Sequence, residues 1–322
     1  MNTNPLVLVI SNSADPDHDP QLKMLAGVPH FHVNSSDALA AAPKNAEIIL
    51  HWAGPRDLLR AAFLACPEVR WVHSRAAGLD NMLFPELVES SVPLTNGRGV
   101  FSQSLGEFAL AAILYFAKDF RRMIRNQMAG RWEPFDVEEI AGQTVGIVGY
   151  GDIGRAVATR VHAMGMHVLA LKRHPPASAD PLIEKFYEPS RLSAMLARCD
   201  YVVVAAPLTP ETRHMIGDAA FAAMKPSAVI INIGRGPVID QAAMVRALES
   251  RQIRGAGLDV FEKEPIPPPD PMYKLENVLL SPHCADHTKD WLDQAMSFFL
   301  QEYEHFCNGQ PLENIVEKHL GY

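Results

Sequence analysis

One segment limits the possible folds of this chain more than any other: Thr144-Val-Gly-Ile-Val-Gly149-Tyr-Gly151-Asp-Ile-Gly154-Arg. A β-branched run enters G-x-G-x-x-G, and residues at helical spacing follow. Gly149 permits a tight turn, Gly151 lets backbone approach a pyrophosphate, and Gly154 lets a helix pack close to its strand. The N–H groups at that helix start then favour phosphate. The segment predicts a βαβ unit that binds a dinucleotide.

The surrounding chain repeats the strand–helix alternation expected of such a sheet. Strands are predicted at 6–10, 46–52, 71–74, 144–149, 167–172, 201–206, 228–233, 255–260 and 278–281. Their continuous apolar character is that of parallel strands buried on both faces. They form two blocks, about residues 5–100 and 140–283, joined by one long helix expected over Gln103–Met128. A loop with Gly130, Trp132 and Pro134 follows that helix, and a last helix is expected over Asp290–Asn308. The reading is α/β, with two doubly wound parallel-sheet domains. A chain of 322 residues, 48% hydrophobic and 20% charged, can build two such cores.

Composition also removes several function classes. A net charge of -8 argues against nucleic acid or an anionic membrane surface as partner. Cys66, Cys199, Cys284 and Cys307 are scattered without a CxxC, so neither a disulfide framework nor a zinc site is expected, and no metal is assigned. A reducing cytoplasm is the simplest compartment. The N-terminal MNTNPLVLVISNS lacks a basic leader, so no signal peptide is expected, and the apolar run Phe108–Ala117 is too short to span a bilayer.

Three further tracts carry chemistry. After the strand that follows the glycine turn, NAD-preferring sites place an acid that bonds the ribose 2′-hydroxyl. Here that place reads Lys172-Arg173-His174, which suits a 2′-phosphate. The expected cofactor is therefore NADP(H), with NAD(H) second; the competing reading is a solvated basic turn. Asn232-Ile233-Gly234-Arg235-Gly236 puts an arginine between glycines at a strand end, either an anion and carbonyl clamp or a surface arginine. Asp259-Val-Phe-Glu262-Lys-Glu264 and Ser281-Pro-His283 supply acids and an imidazole at the same sheet edge, a candidate proton donor with its orienting carboxylate.

Taken in order, these motifs resemble the D-isomer-specific 2-hydroxyacid dehydrogenase family, and most closely its glyoxylate/hydroxypyruvate reductase-like members. The likeness covers nearly the whole chain and includes Trp71–Asn81, Asn96–Val100 and Ser104–Glu107. It implies a Rossmann nucleotide domain, about 101–286, and a flavodoxin-like substrate domain made of 1–100 and 287–322. It implies that Arg235, Glu264 and His283 are catalytic: hydride reaches a 2-keto carbon, His283 supplies the proton, Glu264 orients the imidazole and Arg235 binds the carboxylate. Gly149, Gly151, Asp152, Ile153, Gly154, Lys172, Arg173, His174, Pro207, Thr212, Ile233, Gly234, Arg235, Asp259, His283 and Ala285 would contact the cofactor, Asp259 at the carboxamide. Backbone amides near Ala77 and Gly78 would hold the substrate carboxylate with Arg235, and His283 would also contact the substrate. A homodimer is implied, with the 103–140 region as its arm.

The chain departs from the family pattern at Lys172-Arg173, Ala205-Ala206, Gly106 and the segment His283-Cys-Ala-Asp-His-Thr288. Trp52, Ala53 and Trp291 are candidates to line the substrate pocket, against a plain packing role. Glu264 argues against formate dehydrogenase chemistry, where the family places Gln. A phosphoglycerate-type dehydrogenase and a nucleotide-sensing corepressor of the same fold are the competing functions.

Overall fold

The computed structural model describes residues 4–12, 19–80, 82–176 and 178–321. Asn81, the last residue of the Trp71–Asn81 tract, lies outside the described residues, as do parts of the N-terminal segment read for a leader. The chain divides into two compact units, residues 1–101 with 289–322, and residues 102–288.

The first unit opens with β1 (Val7–Ile10), β2 (His30–Val33), α1 (Ser36–Ala41), β3 (Ile48–His51), α2 (Arg56–Ala65), β4 (Trp71–Ser74), α3 (Pro85–Glu89) and β5 (Leu94–Asn96). Its sheet has the order β2-β1-β3-β4-β5, parallel throughout. That is the flavodoxin-like order. Residues of β1, β3 and β4 are almost wholly buried, which is why they read as unbroken apolar runs.

The second unit contains α4 (Ser102–Ala117), α5 (Phe120–Met128), β6 (Thr144–Val148), α6 (Asp152–Ala163), β7 (His167–Leu171), β8 (Lys185–Tyr187), α7 (Leu192–Leu196) and β9 (Tyr201–Val204). It continues with α8 (Asp218–Ala223), β10 (Val229–Asn232), α9 (Gln241–Glu249), β11 (Gly255–Leu258) and β12 (Val278–Leu280). The sheet order is β12-β11-β10-β9-β6-β7-β8, again all parallel. Its direction of winding reverses between β6 and β9, the switch point at which open α/β sheets bind ligands.

The chain then returns to the first unit as α10 (Trp291–Cys307). Phe299 of α10 stacks on Trp71 at 5.4 Å between ring centroids, and the Tyr303 hydroxyl donates to the Pro5 carbonyl at 3.2 Å. Val316 beyond it donates to Leu94 at 2.9 Å, so the tail is tied to β5.

Two expectations are corrected. The helix expected over 103–128 is two helices. Asp119 adopts a left-handed backbone, φ 47°, and its carboxylate accepts from the Arg122 N–H at 3.3 Å, ending α4 and capping α5. An Asp tolerates that conformation and competes for helix N–H groups, so the charged pair Lys118-Asp119 is a break rather than a turn of helix. The last residues assigned to several strands, Gly149, Lys172, Ala205-Ala206, Ile233, Asp259-Val260 and Ser281, lie beyond the strands in the loops that carry the candidate site.

Candidate active site

The glycine turn is fixed by crowding. Gly149 has φ +95°, and a Cβ there would lie 2.6 Å from the Ala206 backbone. Gly151 caps α6, and among the described residues a Cβ there would meet nothing within 4 Å. The first glycine is thus required by the protein, while the second leaves a cradle open at a helix N-terminus. That arrangement fits a dinucleotide pyrophosphate. Ile153 is half-buried in the first turn of α6, and the Asp152 carboxylate accepts from the Ser102 hydroxyl of α4, a partner that sequence reasoning missed.

Lys172 and Arg173 follow β7 directly. The Lys172 ammonium lies 6.0 Å from the centroid of the Tyr150 ring, and Arg173 pairs with Glu211 at 3.5 Å. His174 is exposed. Tyr150 is itself pinned, its hydroxyl donating to Asp180 at 2.9 Å, and burial reinforced by that carboxylate pushes its pKa up to about 12. Pro207 and Thr212 belong to the loop after β9, where the Thr212 hydroxyl donates to the Pro207 carbonyl at 2.7 Å.

Arg235 stands just after β10 on a loop shaped by buried Asn232. The Asn232 carboxamide donates to the Arg235 carbonyl at 3.1 Å and accepts from the Gly234 N–H at 3.1 Å, while Ile233 N–H donates to Val204 at 3.0 Å. Arg235 is half-buried, and its guanidinium also donates to Gly234 at 2.9 Å. Asn232 is a positioning residue. Its position in the Asn-x-x-Arg spacing was the signal available for it.

Asp259 follows β11 and is almost wholly buried. One carboxylate oxygen accepts from the Ser281 hydroxyl at 2.6 Å, Cys284 N–H at 2.9 Å and Ala285 N–H at 3.1 Å. Ala285 is also held by its carbonyl, which accepts from Ser104 of α4 at 2.6 Å. Asp259 therefore builds the loop that presents His283. That loop is strained where it matters, because His283 has φ 53°, a left-handed conformation uncommon outside glycine.

His283 and Glu264 meet. The imidazole Nδ1 donates to Glu264 Oε2 at 2.6 Å, and Glu264 Oε1 accepts from Phe261 N–H at 2.8 Å. The second bond fixes the carboxylate, and the first fixes the ring and its tautomer. Nε2, on the opposite edge of the ring, is then the nitrogen that can exchange a proton with a ligand. A second pair, His214 with Glu262 at 2.6 Å, ties the loop after β9 to the same Asp259–Glu264 segment. No motif in the sequence marks this pair.

The remaining predicted residues belong to the first unit. Trp52 is 1% exposed, and its indole N–H donates to Asp19 at 2.8 Å, so it is packed as well as close to a strand end. Ala53, Ala77 and Gly78 are half-buried, and the Ala77 carbonyl accepts from Asn96 at 2.7 Å. Trp291, at the start of α10, is half-buried and packs edge-on against Phe101, 6.1 Å between centroids.

A glycine turn at the switch point of a parallel sheet, with a carboxylate-oriented imidazole at the same edge, defines a nicotinamide-dependent oxidoreductase. The sequence profile described as D-isomer specific 2-hydroxyacid dehydrogenase, NAD binding domain, matches residues 110–285. The chain belongs to the D-isomer specific 2-hydroxyacid dehydrogenase family. It is 36% identical over 264 residues to a glyoxylate reductase of Korarchaeum cryptofilum, covering 80% of this chain and 79% of that protein. It is 33% identical to glyoxylate/hydroxypyruvate reductase B of Yersinia pestis, covering 89% and 91% respectively. A family member from Xanthobacter autotrophicus Py2, solved in complex with NADPH and MES, superposes with a TM-score of 0.84 at 31% identity, covering 98% of this chain and 99% of that one.

Proposed function

We propose that the protein reduces a small 2-keto acid of the glyoxylate/hydroxypyruvate type to the D-2-hydroxy acid, with NADPH preferred over NADH. The observation that carries this reading is the 2.6 Å His283–Glu264 pair on the sheet edge that also bears the glycine turn. When bound, the cofactor supplies hydride. His283 gives the proton from Nε2 to the developing alkoxide, and Glu264 keeps the ring oriented. Arg235 binds the substrate carboxylate and polarises the carbonyl. Ala77 and Gly78 contribute backbone N–H groups to the carboxylate. Residues 1–100 with 287–322 act as the substrate domain, and 101–286 as the dinucleotide domain.

The preference for NADPH rests on Lys172 and Arg173 standing where an acid would bind a ribose hydroxyl. The NADPH complex of the Xanthobacter relative supports it. Asp259 reaches the carboxamide with the oxygen not spent on Ser281. The protein works in the cytoplasm as a homodimer. Apolar side chains on α5 and the loop after it support the dimer, with Met128 85% and Trp132 99% exposed. Among the described residues, no helix is long and apolar enough to cross a membrane.

Initial rates on glyoxylate, hydroxypyruvate, pyruvate, phenylpyruvate and oxaloacetate, each with NADPH and NADH, test the reading. Turnover at least about ten-fold better with NADPH is expected, the size of one lost charge-assisted contact. Equal rates with NADH would remove Lys172 and Arg173 from the cofactor site. Absence of turnover by protein that still binds NADPH would overturn the reductase itself.

A further inference from the structure

The carboxyl edge of the five-stranded sheet carries a side-chain cluster that the reaction above leaves unused. Arg75, the first residue after β4, lies over two indole rings. Its guanidinium carbon is 5.0 Å from the ring centroid of Trp52, which follows β3, and 5.2 Å from that of Trp291, the first residue of α10. Both indoles are themselves held, Trp52 through Asp19 and Trp291 against Phe101.

The backbone of Arg75 is fixed as well. Its N–H donates to the His51 carbonyl at 3.1 Å, and Gly97 backs its carbonyl so closely that no side chain fits there. Three separate stretches of chain, near residues 52, 75 and 291, are therefore committed to holding one guanidinium.

The chemistry of a cation in that setting is narrow. Two aromatic faces attract the guanidinium. Its N–H donors all lie in the plane of the group, so hydrogen bonds form only at its edge, in the fork that matches carboxylate or phosphate oxygens. Arg75 is half-buried, so its charge is only partly hydrated. It stands beside Ala76-Ala77-Gly78 at the end of a parallel strand, where open α/β sheets bind ligands.

We propose that Arg75, held by cation–π contacts to Trp52 and Trp291, is a specificity residue that binds a second anionic group of the substrate, a carboxylate or a phosphate at the end remote from the 2-keto acid. The proposal rests on the reductase reading and narrows it. Among 2-keto acids, those with two anionic ends gain a contact that glyoxylate and pyruvate cannot make. Trp52 and Trp291 then act through Arg75, as positioning residues.

The test compares the full-length protein with Arg75→Gln, Arg75→Lys and Trp291→Leu, all with saturating NADPH. Substrates are glyoxylate and pyruvate, the diacids oxaloacetate and 2-oxoglutarate, and phosphohydroxypyruvate. In the wild type, kcat/KM is expected to favour at least one two-anion acid over pyruvate. Arg75→Gln should lower that ratio by about ten-fold or more, the scale of one charge-assisted contact. Arg75→Lys should restore part of it, and Trp291→Leu should lower it less than Arg75→Gln. Loss confined to the diacids identifies the second group as carboxylate, and loss confined to phosphohydroxypyruvate identifies it as phosphate.

An equal loss on every acid, or an unchanged ratio, would overturn the proposal and leave Arg75 as a packing group. If the wild type reduced none of these acids, the reductase reading would fail and calorimetry would decide the site separately. Malonate binding to the NADPH-loaded protein that is tighter than acetate binding and lost in Arg75→Gln would uphold it; no difference between the two anions would overturn it.

Discussion

His283 combines a left-handed backbone with a short bond to Glu264, so its ring is set by both main chain and side chain. General acid catalysis is worth about 10²–10⁴-fold, and His283→Ala should lose that much in kcat while NADPH binding, followed by fluorescence titration, stays intact. A near-normal kcat would remove His283 from the proton transfer. A different histidine governs stability. His73 in β4 is wholly buried beside Trp71 and Phe299, with Nδ1 2.8 Å from the Thr95 hydroxyl, and burial pushes its pKa down to about 3. The Trp71 indole donates to the same hydroxyl, and burial keeps the His73 ring neutral. An unfolded chain takes up a proton on this ring below pH 6.5, whereas the folded one does so only near pH 3. Its contribution is thus complete above pH 6.5 and declines as the pH falls toward 3, by up to about 1.4 kcal/mol per pH unit. Urea melts at pH 7 and pH 5 should show a smaller loss for His73→Gln than for the wild type. Identical losses would mean that His73 is not the group being titrated.

At the scale of elements, what the sequence makes legible follows burial. Central strands such as β6, β9 and β10 are almost wholly buried on both faces and read as apolar runs. The three strands that the alternation did not predict are all sheet edges: β2 (HFHV), β5 (LTN) and β8 (KFY). Edges are short and carry polar residues, because an apolar edge would invite pairing with another chain. The same logic covers the candidate site. Gly149, Arg235, Glu264 and His283 were readable because each stands at a strand end in a characteristic local string. The positioning roles of Ser281 and Ser104 were not, since a hydrogen bond across 22 or 181 positions leaves no local mark. The break at Asp119 belongs to this scale too. Asp119→Ala removes the cap and places a Cβ-bearing residue without cap chemistry in a left-handed turn, so it should cost about 1–2 kcal/mol in denaturant melts. Asp119→Asn, which keeps both features, should cost far less. Equal effects would show that the cap contributes nothing.

For the whole molecule, the exposed apolar residues of α5 and its following loop set the assembly prediction. Trp132, Met128, Ile124 and Val137 are all exposed, and each contributes apolar surface that a partner copy would cover. Sedimentation velocity should give a dimer for the wild type and a monomer, or a dimer at least about ten-fold weaker, for the pair Met128→Asp with Trp132→Ala. A dimer of unchanged strength would move the interface elsewhere.

The order of the chain carries a consequence for synthesis. Unit 1 is built from both ends of the sequence, and residues 102–288 separate them. At about 5–20 residues per second, the ribosome needs roughly 10–40 s to make that insert. During this time Trp71 lacks Phe299, and β5 lacks the strap that donates from Val316. Unit 2 is complete in sequence before unit 1 is. The first-made sheet must wait, partly uncovered, for the last-made helix, so a nascent chain is most exposed to chaperones and proteases at its oldest residues.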